Sequence, residues 1–119
     1  MKLADIINLL GLEVLVGADD DFEVETACGA DLMSDVLAFS QEKTLLLTGL
    51  TNPQVVRTAE ITGIRIIIFV RGKKPMYDTI ELAQEKDVYL YYSAKTLFEC
   101  CGLLYGNGLK SEKIREIDN

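Results

Sequence analysis

Three short stretches of this chain gather the residue types that hold anions: Thr48-Gly49-Leu50-Thr51-Asn52, Arg71-Gly72-Lys73-Lys74-Pro75 and Ser93-Ala94-Lys95-Thr96. The hydroxyls of Thr48, Thr51, Ser93 and Thr96 and the Asn52 amide offer donors, and Arg71, Lys73 and Lys74 offer positive charge. Gly49 and Gly72 let a ligand approach the backbone closely. Each stretch leads into a segment with helical periodicity, where free N–H groups and the helix dipole favour an anion. The chemistry is recognition of a phosphate or a carboxylate. It is not that of a P-loop, because Arg71-Gly72-Lys73-Lys74 lacks the spacing and the Ser or Thr after the lysine. Gly, Asn, Ser and Thr are also ordinary strand-to-helix turn residues, and that reading stays open.

Other reactive side chains are few. Asp31, Ser34 and Asp35 open a helical segment, where paired carboxylates either do acid–base or metal chemistry or cap the helix and favour its dipole. The cap is the reading taken, with Asp31 as N-cap. The chain has no histidine, which removes Ser-His-Asp and Cys-His catalysis. Its three cysteines, Cys28, Cys100 and Cys101, have no CxxC spacing, so no metal site is expected. An odd count with an adjacent pair is no disulfide framework. With Leu97 and Leu104, Cys100 and Cys101 form an i, i+3, i+4, i+7 stripe that reads as inert core.

The elements that position these residues follow from periodicity. Residues 2–10 read as an amphipathic helix stopped by Gly11, 13–16 and 22–28 as strands, and 31–39 as a short helix. Then strand and helix alternate: strand 44–48, helix from Asn52-Pro53 to Thr62, strand 65–70, helix 76–86 with Met76, Ile80 and Ala83 on one side, strand 88–92 and helix 96–105. Arg65-Ile-Ile-Ile-Phe-Val70 is apolar on both faces, as a strand covered by helices on both sides must be. The expected fold is α/β: a largely parallel sheet flanked by helices, with the first strands free to pair in a mixed sense. In such a sheet, ligands take the crevice beyond the carboxyl ends of the strands, where the three loops should meet. The expected ligand-binding set is Thr48, Gly49, Thr51, Asn52, Arg71, Gly72, Lys73, Ser93 and Thr96. The last helix is apolar on a second side as well, through Phe98, Gly102 and Tyr105, which points to a homodimer.

A length of 119 residues suits one domain, taken as 1–108 with a polar tail over 109–119. The net charge of −7 is concentrated at the start: residues 1–25 carry one lysine against seven acidic residues. A chain with that balance and no basic stripe is a poor nucleic-acid binder. No apolar run is long enough to cross a bilayer and no signal peptide is evident, so a cytoplasmic protein away from membranes is expected.

Ala30-Asp-Leu-Met-Ser-Asp-Val-Leu-Ala38, Leu-Leu-Leu-Thr-Gly-Leu-Thr-Asn-Pro-Gln54 and Ile-Ile-Phe-Val-Arg-Gly-Lys-Lys-Pro75 together resemble the DRTGG domain, most of all its stand-alone members, over residues 1–108. The Asp-Arg-Thr-Gly-Gly string itself does not occur. The resemblance implies a fold similar to the N-terminal domain of bacterial HPr kinase/phosphorylase, and kinship with domains beside phosphotransacetylase and within CBS-containing pyrophosphatases. It implies a regulatory or structural, dimeric role. The expectation is a non-catalytic, cofactor-free module that senses a phosphorylated metabolite or nucleotide. The alternative is a protein-interaction or dimerisation domain with no small ligand. A small enzyme using Asp31 or Asp35 with Lys73 is the third reading, and it lacks a converging base, nucleophile and orienting group.

Overall fold

The computed structural model describes residues 1–19, 21–39 and 43–111. Along the chain run α1 (Leu3–Leu10), β1 (Glu13–Val16), β2 (Thr26–Gly29), α2 (Met33–Phe39), β3 (Thr44–Thr48), α3 (Pro53–Thr62), β4 (Ile66–Phe69), α4 (Tyr77–Glu85), β5 (Tyr89–Tyr92), α5 (Leu97–Gly106) and β6 (Lys110–Ser111). The strands form one sheet in the order β1-β5-β4-β3-β2-β6. The pairs β2–β3, β3–β4, β4–β5 and β2–β6 are parallel, and β1 joins β5 antiparallel. The fold is thus α/β, with one antiparallel pair at its edge.

Side-chain alternation splits the core into two layers. Leu45, Leu47, Ile66, Ile68 and Tyr91 face α1 and α5, where Leu3, Ile6, Leu10, Cys100 and Leu104 meet them. Leu46, Ile67, Phe69 and Leu90 face the opposite way, onto Val36 of α2, Val55, Val56 and Ala59 of α3, and Ala83 of α4. The distribution follows from handedness. From β2 to β5 the chain steps across the sheet in one direction, and right-handed crossovers put α2, α3 and α4 on one face. After β5 it returns to lay β6 beside β2, and a right-handed return must run over the other face. That return is α5.

Several boundaries differ from the sequence reading. β2 begins at Thr26, not Phe22, because Phe22–Val24 pairs with the N-terminal residues instead: Leu3 N–H donates to Phe22 and Val24 N–H to Met1, both at 2.9 Å. Met76 precedes α4 and is 63% exposed; the buried side of that helix is carried by Thr79 and Ala83. At the far end, Leu109 is buried and Lys110–Ser111 pairs with β2. Residues 112–119 lie outside the described residues.

Candidate functional site

The loops after β2, β3, β4 and β5 meet at the carboxyl edge of the sheet. β4 and β5 are neighbours whose following helices leave to opposite faces, α4 to one and α5 to the other. A strand pair of this kind leaves a crevice between its loops. Here the crevice is stitched shut. Arg71 N–H donates to the Lys95 carbonyl and Gly72 N–H to the Ser93 carbonyl, each at 2.7 Å. To make both bonds the backbone turns left-handed at two successive residues, φ 61° at Arg71 and 66° at Gly72. Glycine takes this conformation freely, whereas a residue with a Cβ loses roughly 1–2 kcal/mol.

The stitch moves the open concavity toward α5. A pocket of about 250 Å³ is lined by Asp31, Gly49, Val70, Arg71, Thr96, Leu97 and Phe98. Its floor is ordered by Asp31, whose Oδ1 accepts from Gly49 N–H at 2.8 Å and from the Thr48 hydroxyl at 3.0 Å. These bonds tie the loop after β2 to the loop after β3. They also correct the reading of Asp31 as a helix cap: α2 starts later, at Met33. Beside that carboxylate lies the Arg71 guanidinium. Its Nη2 is 2.7 Å, and Asp31 Oδ1 3.6 Å, from the point a Cβ would occupy on Gly49. Glycine at 49 therefore leaves the room in which the guanidinium sits. Among the described residues, the Arg71 side chain makes no ion pair and no hydrogen bond.

The expected site residues divide into three groups. Gly49, Arg71 and Thr96 line the pocket. The Thr48 and Ser93 hydroxyls are buried and internally engaged, Thr48 with Asp31 and Ser93 with the Leu10 carbonyl at 2.9 Å. Thr51, Asn52, Gly72 and Lys73 lie outside the lining. The Thr51 carbonyl accepts from the Thr79 hydroxyl at 2.9 Å, and Asn52 sits at the N-cap of α3 without a side-chain cap bond. The Thr96 hydroxyl accepts from Glu99 N–H at 3.2 Å, so its first task is to cap α5. Lys74 turns away: its ammonium lies 5.0 Å from the Tyr92 ring centroid, and Tyr92 donates to the Glu13 carboxylate on β1. Contact with the Tyr92 hydroxyl holds the Lys74 amine above its usual range. The sequence reading allowed Asp31 to face this crevice but took it as a cap and left it out of the ligand set, and it missed Val70, Leu97 and Phe98 as the apolar wall.

A second concavity, about 390 Å³ and mostly apolar, runs along α5 between Phe98, Cys101, Gly102 and Tyr105 and the β2–β6 edge. Phe98 and Tyr105 are 87% and 74% exposed, uncovered by α1 or by the described part of the C-terminal segment. Gly29 lets α5 lie close on β2, since a Cβ there would meet Cys101 Sγ at 2.7 Å. Burial pushes the Cys100 and Cys101 thiols up. Among the described residues no cluster of His, Cys, Asp or Glu is placed to hold a metal ion, and no helix is long and apolar enough to cross a membrane.

No protein-family model matches the chain, and no curated protein matches it. Among solved structures it is similar to the CBS and DRTGG domains of the regulatory region of Clostridium perfringens pyrophosphatase, in complex with its activator, diadenosine tetraphosphate. The identity is 17% and the TM-score 0.73, over 99% of this chain and 51% of that one. The chain thus spans about half the length of that region. At this identity the likeness establishes the fold, one related to that of a CBS and DRTGG regulatory region.

Proposed function

We propose that the protein is a non-catalytic, cytoplasmic regulatory module that senses a phosphorylated metabolite or nucleotide at the carboxyl edge of its sheet. The observation that carries this reading is Arg71. Its guanidinium has no ion-pair partner among the described residues, lines a pocket, and rests on a backbone held left-handed by two cross-loop hydrogen bonds. Strained residues held by their surroundings concentrate where a protein binds or switches. Arginine suits a phosphate because its planar fork donates two parallel bonds. In this reading Gly49 admits the guanidinium and Thr96 shapes the rim, while Thr48 and Ser93 support the loops. The fold's likeness to a regulatory region supports a sensing role over a catalytic one.

Thermal shift against a panel of sugar phosphates and nucleotides tests the reading. A ligand at 100 times its dissociation constant should add about 2.7 kcal/mol of stability, and the Arg71→Ala variant should lose that response. If no compound shifts the wild type, or if Arg71→Ala responds unchanged, the ligand-sensing reading is wrong.

The Gly102 and Tyr105 part of α5, away from the edge pocket, favours one further part of the reading, a homodimer formed through α5. An exposed aromatic beside an apolar groove is the kind of surface a second copy covers. If no ligand is found, this face leaves assembly as the function.

A further inference from the structure

We infer that the ligand of the edge pocket is a nucleoside phosphate, with its phosphate on Arg71, its ribose hydroxyls on Asp31 and its base against Phe98. The inference rests on the reading of this pocket as an anion site and specifies what else the ligand must carry.

The pocket has two charges of opposite sign. The Arg71 guanidinium and the Asp31 carboxylate approach the same point above Gly49 without forming an ion pair. Asp31 is fixed by its Oδ1, which takes both the Thr48 and the Gly49 bonds, so its carboxylate cannot swing away without breaking the tie between two loops. A bare phosphate on Arg71 would therefore sit beside a fixed negative charge and be repelled. A ligand that presents hydroxyl donors next to its phosphate turns that repulsion into charge-assisted hydrogen bonds. Vicinal ribose hydroxyls on a carboxylate are the arrangement by which acidic residues read nucleotides at sheet edges.

The third feature is Phe98. It is the first-turn aromatic of α5, lines the same pocket as Arg71 and Asp31, and is 87% exposed. A pocket of about 250 Å³ holds a ribose phosphate, and a base attached to it would extend to the rim. There Phe98 and the half-buried Leu97 offer an apolar face on which a base can stack. Cation, fixed acceptor and aromatic face line one concavity, and a nucleoside phosphate uses all three.

Calorimetric titration of the full chain with inorganic phosphate, ribose 5-phosphate and adenosine monophosphate provides the test, repeated with Phe98→Ala and Asp31→Asn. The nucleotide should bind at least about ten-fold tighter than phosphate. Phe98→Ala, at an exposed position that leaves the fold intact, should weaken the nucleotide at least about five-fold and leave ribose 5-phosphate unchanged. Asp31→Asn should weaken both ribose compounds while phosphate binds as well or better, a reversal that general destabilisation does not produce. If phosphate binds as tightly as the nucleotide and Phe98→Ala changes nothing, this inference fails and the anion site stands. If none of the three compounds binds the wild type, both fall.

Discussion

The guanidinium of Arg71 occupies the space where a side chain on Gly49 would begin: a single methyl group added at 49 would meet Nη2 at 2.7 Å. The obstructing atom is the far end of a flexible side chain, so the fold can accept the methyl while the arginine moves. Gly49→Ala should change unfolding stability by less than about 1 kcal/mol. It should nevertheless weaken ligand binding as much as Arg71→Ala does. Chemical denaturation and titration on the same sample check the two halves. Binding equal to wild type would mean that the arginine does not hold the ligand where it now sits.

Arg71 also allows backbone and side chain to be separated. Arg71→Gly and Arg71→Ala both remove the guanidinium, but only glycine relaxes the left-handed φ of 61°. Arg71→Gly should be more stable than Arg71→Ala by about 1 kcal/mol, with both equally unable to bind. Equal stabilities would show that the loop adjusts and stores no strain.

Much of this organisation was legible in the residues, and the exceptions share a cause. Ile66-Ile-Ile-Phe69, apolar on both faces, and Asn52-Pro53 opening a helix closed by Gly63, are local signals, and the structure honours them. The carboxyl edge was legible as a place, because alternating strands and helices dictate where loops gather. The roles of its residues were not. The Thr48 and Ser93 hydroxyls look the same in sequence as ligand donors, yet Asp31 and the Leu10 carbonyl claim them. Asp31 lies 17 residues from Thr48 in the chain, and no local pattern reports that contact. The left-handed turn at Arg71-Gly72 was half visible: glycine at 72 signals it, arginine at 71 conceals it.

The surface of α5 makes a prediction about assembly. A Cβ at Gly102 would meet nothing within 4 Å, and Gly102 is exposed, so a side chain there starts in open space. Removing a mid-helix glycine should stabilise the single chain by up to about 1 kcal/mol. A lysine there should at the same time block close approach of a second copy. Sedimentation should therefore show wild-type dimer at micromolar concentration and monomeric Gly102→Lys with a higher melting temperature at matched protomer state. A monomeric wild type would remove the dimer from the proposed function.

Alkaline pH should weaken the fold through the two thiols of α5. Burial raises both above the ordinary value of 9.0, so the native chain holds these protons at pH values where the unfolded chain has released them. Their contribution is complete below that ordinary value and disappears as pH rises through the raised native values. The urea midpoint should fall more steeply above pH ~9 in wild type than in the Cys100→Ala, Cys101→Ala double variant. Cys100, with no accessible surface, should react with a thiol reagent only after unfolding, and Cys101, half-buried on the groove, at an intermediate rate. Equal slopes in the two proteins would contradict the assigned burial.

Both outer strands of the sheet are attached to partners far away along the chain. β1, at residues 13–16, pairs with β5 at 89–92, and β6, at 110–111, pairs with β2 at 26–27. The central units β2-α2-β3, β3-α3-β4 and β4-α4-β5 each close a short crossover, whereas each border closes only when nearly the whole chain has been brought together. Loop closure over such separations is slow and earns no contact energy until the end. The order of events in folding should therefore run from the middle of the sheet outward, with the two borders joining last. Amides in β3 and β4 should be the most protected from hydrogen exchange, and those of β1 and β6 should open first, so the helix that walls the edge pocket is anchored next to the least protected border of the sheet.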